Sequence, residues 1–281
     1  MPVRIPNSET RTFERVLAHY RIEQELAARL RSAPKEERRR LYTSLYDELF
    51  RRVHDHPQLT LKASAASRQA EVSARLKLLG PYLRPDATYL EVGPGDCALA
   101  TAVAQQVRKV YAVDVSNEIT VGVALPENFE LAISDGCSIP VPERSVDVAY
   151  SDQLMEHLHA DDAREQLQNI YQALKPGGVY LCITPNRLSG PHDVSRYFDE
   201  VATGFHLREY TVGELTKLFS ATGFRKFKVL AGGGGHHLPL PPKLIRVVEW
   251  FLELFPRTFG RTLARGLPLR VILGAKLVAR K

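Results

Sequence analysis

Three carboxylates stand at the ends of three short apolar runs: Glu91 in "TYLEV", Asp114 in "KVYAVD" and Asp135 just after "FELAI". Glycines accompany the first and third, Gly93 and Gly95 in "EVGPGD" and Gly136 in "SDG". A carboxylate beside a glycine-rich turn suits a ligand rich in hydroxyl and amino groups: the turn lets backbone approach closely, and the carboxylate accepts hydrogen bonds. Phosphate fits poorly, because the GK[ST] signature of a phosphate loop is missing and three carboxylates repel a pyrophosphate. An imperfect dinucleotide fingerprint, Gly93, Gly95 and then Ala98, stays open. The pattern favours a neutral or cationic nucleoside. Further along, "SDQLMEHLHADD" carries Glu156 and His157. An imidazole titrates near neutral pH, so His157 is a candidate general base, with a packed core histidine as the alternative.

Such residues need a scaffold that brings strand ends together. From Pro85 onward β-branched runs alternate with helical stretches: "TYLEV", "ALATAVAQQV", "KVYAVDV", a short helix, "FELAI", "SVDVAYS", "DDAREQLQNIYQAL" and "GVYLCIT". This alternation predicts an α/β, Rossmann-like fold, a mostly parallel seven-stranded sheet with helices on both faces. The carboxylates then share the C-terminal edge of the sheet, where open α/β folds bind ligands. A long irregular stretch follows over 185–205, then a helix capped by Thr211, a strand "RKFKVLA", and a chain break at "GGGGHHLPLPP". Amphipathic helices over 243–265 form an insertion at about 242–266 before a last strand in "RVILGAKLVAR". Residues 9–83 carry apolar residues at three- and four-residue steps, so 1–84 reads as an N-terminal helical extension of a domain spanning 85–281.

Taken in order, these segments resemble the class I S-adenosylmethionine-dependent methyltransferases, of the broad methyltransferase type 11-like group shared with small-molecule and quinone-type enzymes. The resemblance covers residues 85–230. "LEVGPGD" resembles the loop that packs under the methionine part of the cofactor, and "VYAVD" the strand whose acid, here Asp114, holds the ribose. "SDGCSIPVPERSVDVAYSDQLMEHL" resembles the next two motifs, with Asp135 near the adenine, and "ALKPGGVYLCITPN" the segment after them. Cys97 stands where many members have a third glycine. The resemblance implies S-adenosyl-L-methionine as cofactor, held by Glu91, Gly93, Gly95, Asp114, Asp135, Gly136 and Ser151. It also implies methyl transfer to a small-molecule acceptor, on oxygen if His157 serves as base. In the family the stretch around "SGPHDVSRYF" and "GFHLREYT" covers the acceptor, which makes His192, Arg196, His206 and Tyr210 candidate substrate residues. Some quinone-type relatives hold a metal with two glutamates and a histidine near this point; Gln153 replaces one of those glutamates, and no metal is expected. The competing readings are a nicotinamide-dependent dehydrogenase and a non-catalytic S-adenosylmethionine-binding protein.

The charge pattern narrows the partners. The formal net charge is +6, yet residues 88–224 carry nineteen Asp or Glu against nine Lys or Arg, while 225–281 carry twelve basic residues against two acidic. An acidic centre argues against nucleic acid as partner. The basic, aromatic-rich "KLIRVVEWFLELFPRTFGRTLARGLPLR" either packs on the domain, lies on a membrane surface, or closes over a lipid-like acceptor. His236 and His237 lack a third ligand nearby in sequence and carry no metal reading. Three cysteines without paired spacing, and no apolar leader, fit a cytoplasmic protein.

Overall fold

The structure, a computed structural model, describes residues 5–6, 9–60, 65–116 and 125–281. The short helix expected between "VYAVD" and "FELAI" lies outside the described residues. Four helices come first: α1 (Phe13–Ser32), α2 (Lys35–Arg52), the single turn α3 (Pro57–Thr60) and α4 (Ala65–Leu79). Next come β1 (Thr88–Val92), α5 (Ala98–Ala104), β2 (Lys109–Asp114), β3 (Phe129–Ile133), β4 (Val146–Asp152), α6 (Ala160–Ala173) and β5 (Leu174–Thr184). The chain closes with α7 (Val212–Thr222), β6 (Lys226–Gly233), β7 (His236–Leu240), α8 (Pro242–Glu253), α9 (Arg257–Arg265), α10 (Leu269–Leu273) and β8 (Ala275–Arg280).

One sheet orders these strands β3-β2-β1-β4-β5-β8-β6-β7. The first five are parallel, while β8 runs antiparallel between β5 and β6. Parallel strands buried on both faces read as continuous apolar runs, and β1 is buried along its whole length. One face packs α4 and α5 through Leu79, Leu99, Ala100 and Val103 against Tyr89, Val148 and Tyr150. The other face packs α6 and α7, with α1 and α2 stacked beside them through Leu26, Leu30, Leu45 and Leu49. Each of those four leucines is at most 2 % exposed, contributing on the order of 2 kcal/mol per side chain. The N-terminal helices thus share the core of the α/β domain.

Two local expectations change. The sheet has eight strands, because "GGGGHHLPL" does not interrupt the chain but turns it: Gly234 and Gly235, at φ +61° and +86°, join β6 to β7 as a hairpin. The first half of "RVILGAKLVAR" is the end of α10, and the strand begins only after Gly274. Thr211 caps α7 as expected, in a reciprocal box with Glu214.

Candidate functional site

The turn after β1 is built from left-handed backbone. Gly93 and Gly95 have φ of +71° and +55°, and Cys97 holds +57° with its side chain buried. The Gly93 N–H donates to the Val113 carbonyl at 2.9 Å, tying this turn to β2, and Asp96 accepts from the first amide of α5. A Cβ on Gly93 would stand 3.2 Å from Leu154, so the turn is also tight.

Beside this turn, a cavity of about 610 Å³ opens between α4 and the tips of β1 and β4. Its walls include Gln58, Arg75, Glu91, Gly93, Gly95 and Asp152. Arg75 reaches Asp152 at 2.6 Å, and Asp152 also accepts from Tyr150 at 2.9 Å. Glu91 accepts from Tyr89 at 3.2 Å. Burial, reinforced by the negative fields of Asp152 and Asp96, pushes the Glu91 carboxyl up to about 8. That value leaves Glu91 largely protonated at neutral pH, and a cation beside it would favour the carboxylate.

The other two carboxylates stand on neighbouring strand tips but do not line this cavity. Asp114 accepts from the Val115 and Ser116 amides at 2.7 and 3.2 Å. Asp135 accepts from the Cys137 and Ser138 amides and faces Arg39 of α2 at 3.2 Å. Gly136, at φ +90°, lies under the Tyr42 ring. The N-terminal helix α2 therefore covers the tip of β3, a contact the strand pattern alone does not contain. Ser151 points to the opposite face and exchanges a 2.7 Å hydrogen bond with Tyr180.

A second cavity, about 220 Å³, is lined by histidines. His157, His192, Arg196 and His206, read from sequence as substrate or catalytic residues, meet here. Tyr210 does not line it; it is buried, bridged to Asn186 and stacked under the Arg208 guanidinium, beside a different cavity. The N-terminal segment supplies His19, Glu23, Tyr46, Gln58 and, from the turn between α2 and α3, His56 to the same walls, none of them singled out by sequence. A signal existed for two: His19 and Glu23 fall on the buried stripe of α1 with Val16, Leu26 and Leu30, where polar residues are out of place. Gln58 lines both cavities.

His157 donates from Nδ1 to the Phe205 carbonyl at 3.0 Å, which leaves Nε2 as the lone-pair nitrogen. Burial, with His206 nearby, pushes its imidazolium down to about 3. The ring stays neutral at ordinary pH. Glu156, fully buried, accepts from Thr184 through Oε2 at 2.9 Å, while its Oε1 has no partner among the described residues. Burial pushes its carboxyl up to about 7. His206 donates from Nδ1 to Glu209 at 2.7 Å. Although burial acts to lower it, Glu209 and Glu156 raise the His206 pKa above the ordinary histidine value.

A doubly wound sheet with a glycine turn and an acid-lined cavity at its C-terminal edge defines a nucleoside-binding α/β protein. Comparison with known proteins gives the family. A methyltransferase-domain model matches residues 64–229, more than half of the chain, and the chain belongs to that family. A probable S-adenosylmethionine-dependent methyltransferase of Mycolicibacterium smegmatis is 34% identical over 137 residues, 48% of this chain and 51% of that protein. One of Mycobacterium tuberculosis is 32% identical over 136 residues, 48% of this chain and 47% of that one. The chain spans about half the length of these curated relatives. Among solved structures, a putative methyltransferase of Haloferax volcanii in complex with the Trm112 activator aligns with a TM-score of 0.54 at 15% identity, over 80% of this chain and 95% of that one. The 1,6-didemethyltoxoflavin-N1-methyltransferase of Burkholderia thailandensis, with bound 1,6-didemethyltoxoflavin and S-adenosylhomocysteine, aligns with a TM-score of 0.52 at 19% identity, over 89% of this chain and 91% of that one. Both likenesses establish the Rossmann-like class I methyltransferase fold.

Proposed function

We propose that the chain transfers the methyl group of S-adenosyl-L-methionine to an oxygen of a small-molecule acceptor. The observation that carries this reading is Gln58: it belongs to the wall of the cavity beside the glycine turn and to the wall of the histidine-lined cavity, so donor and acceptor spaces meet at one side chain. Family membership supports the cofactor. Glu91, Gly93 and Gly95 would hold its methionine end, with Asp114 at the ribose and Asp135 and Gly136 toward the adenine. Ser151, packed behind β4, would act only by supporting that strand.

Methyl transfer from a sulfonium is an in-line displacement, so holding acceptor and methyl in line without water supplies most of the rate gain. The acceptor oxygen forms the new C–O bond, the S–C pair returns to sulfur, and the hydroxyl proton must leave. His157 receives it at Nε2. A neutral, weakly basic imidazole suffices, because the oxygen becomes strongly acidic as it gains the methyl. His192, Arg196 and His206 complete the acceptor walls, which Tyr210 does not line.

The C-terminal helices support a contact with an anionic membrane and hence a lipid-like acceptor. Val247, Trp250 and Phe251 of α8, Leu254 just past its end and Phe259 of α9 are exposed, with Arg257 and Arg261 close by in sequence. Apolar residues rimmed by cations suit that surface. No helix of the described residues is long and apolar enough to cross a membrane. Three free, buried cysteines fit a reducing, cytoplasmic setting.

The test is to incubate the protein with methyl-labelled cofactor and a metabolite extract and to identify the product by mass. Calorimetry with S-adenosylmethionine and with NAD separates this reading from a dehydrogenase. Tight cofactor binding without any labelled product would instead favour a non-catalytic binding protein.

A further inference from the structure

A third cavity, about 300 Å³, lies where α8 and α9 meet the stretch over 187–209. Among the described residues it shares no wall with the cavity beside the glycine turn or with the histidine-lined one. A close helix contact shapes it. A Cβ on Gly260 of α9 would stand 2.8 Å from the Leu252 carbonyl of α8, so the glycine lets the two helices meet. Arg257 and Arg261 flank that glycine one helical turn apart, and both reach the cavity wall. On the other side Arg265 ties the loop down, donating to the Ser189 and Pro191 carbonyls at 2.7 and 3.4 Å.

The walls carry the guanidiniums of Arg187, Arg208, Arg257 and Arg261 against the carboxylates of Glu200, Glu209 and Glu253. Most of that acid is already committed. Arg187 takes Glu253 at 2.5 Å and Glu214, outside the cavity, at 3.1 Å. Glu209 is held by His192 and His206 at 3.2 and 2.7 Å. Arg208 stands 3.8 Å from Glu214, and Arg257 and Arg261 have no ion-pair partner among the described residues. Three guanidiniums therefore face the exposed Glu200 alone. The excess of positive charge continues behind the wall, where burial first, and then Arg261 and Arg196, lower the pKa of Arg265. Leu188, Val201 and Phe255 give the same cavity an apolar side.

We propose that this cavity binds the phosphate monoester of an amphiphile, with its head on Arg208, Arg257 and Arg261 and the first carbons of its chain on Val201 and Phe255. A phosphate monoester is close to a dianion at neutral pH and offers three acceptor oxygens, which suits several unmatched guanidiniums better than a single carboxylate does. A volume near 300 Å³ is at the lower end for ligand cavities. It accommodates a phosphate head and a short length of chain, not a whole lipid. The inference goes beyond the membrane contact proposed above, naming a defined ligand where that contact needs only surface charge, and it needs no methyl transfer.

The probe is octyl phosphate below its micelle-forming concentration, titrated calorimetrically into the full chain without lipid, at a pH well above the second phosphate pKa of about 6. The expected result is saturable binding at one equivalent. Inorganic phosphate should bind roughly tenfold more weakly or worse, because it forgoes the burial of two or more methylenes. Uncharged octyl glucoside should show no saturable binding over the same range. Arg257→Gln and Arg261→Gln should each weaken octyl phosphate by about tenfold or more, and Arg261→Lys, which keeps the charge but loses the planar fork, by less. Arg15→Gln, on α1, should leave it unchanged. Absence of saturable binding overturns the proposal. So does inorganic phosphate or octyl glucoside binding as tightly as octyl phosphate, or binding that the double Arg257→Gln, Arg261→Gln variant, still folded by circular dichroism, does not weaken. None of these readouts uses vesicles or methyl transfer, so failure of this site is told apart from failure of the membrane contact or of the proposed reaction.

Discussion

The guanidinium of Arg38 grips the carboxylate of Asp162 through two hydrogen bonds of 2.6 Å, and the Tyr42 hydroxyl adds a third at 2.8 Å. Arg38 and Tyr42 lie on α2, Asp162 on α6, and both ions are buried. Removing one partner strands a charge in the interior, so Arg38→Ala should cost about 3–5 kcal/mol in urea unfolding. Burial acts to raise the Asp162 carboxyl, but Arg38 and Tyr42 outweigh it and hold it below the ordinary value. A depressed carboxyl stabilises the fold above the ordinary carboxylate range and loses that contribution as pH falls through its folded value. Arg38→Ala should therefore be less sensitive to acid than the parent. A loss below about 1 kcal/mol would mean that α2 docks without this pair.

Gly136 sits where a Cβ would come within 2.7 Å of the Tyr42 ring, at a φ of +90°. Gly136→Ala should lose about 1–3 kcal/mol by overpacking, plus backbone strain of similar size. In a double-mutant cycle, Tyr42→Ala should recover the overpacking part alone. Strictly additive losses would place the clash elsewhere.

Glu91 makes cofactor affinity depend on pH. With its folded carboxyl raised to about 8, the ligand-free protein holds a proton there that a positively charged sulfonium opposes. Binding should strengthen as pH rises from 6 to 8, by up to about tenfold per unit, with proton release visible by calorimetry in buffers of different ionisation enthalpy. The same raised value means that Glu91 favours the ligand-free fold below the ordinary carboxylate range and that this contribution fades as pH rises toward 8. Glu91→Gln should flatten both profiles. A parent profile already flat from 6 to 8 would separate Glu91 from the cofactor.

The chain has one tryptophan, Trp250, and it is 61 % exposed on α8. Vesicles containing anionic lipid should shift its emission to the blue and sediment the protein, and purely zwitterionic vesicles should do so far less. Arg257→Glu with Arg261→Glu should abolish the difference. Self-association that buries Trp250 without lipid would assign this face to a second copy.

The strands were readable because buried parallel strands are continuous apolar runs, as "TYLEV" and "VYAVD" are. β7 was not, since four glycines read as a break until the pairing of β6 with Leu238 and Leu240 is seen. The glycine turn, Glu91 and His157 were legible because their function is local in sequence. Gln58, His56, His19 and Glu23 were not: packing of α1 to α3 brings them to residues more than a hundred positions away, and no short motif encodes that contact. Asp135 shows the converse, a legible acid whose surroundings depend on Arg39 from another element.

Gln58 faces two compartments at once. Whatever fills one reshapes a boundary of the other, and thermodynamic linkage then makes the effect mutual: if the methyl donor tightens acceptor binding by some factor, the acceptor tightens donor binding by the same factor. Donor and acceptor affinities would rise or fall together through a single amide side chain.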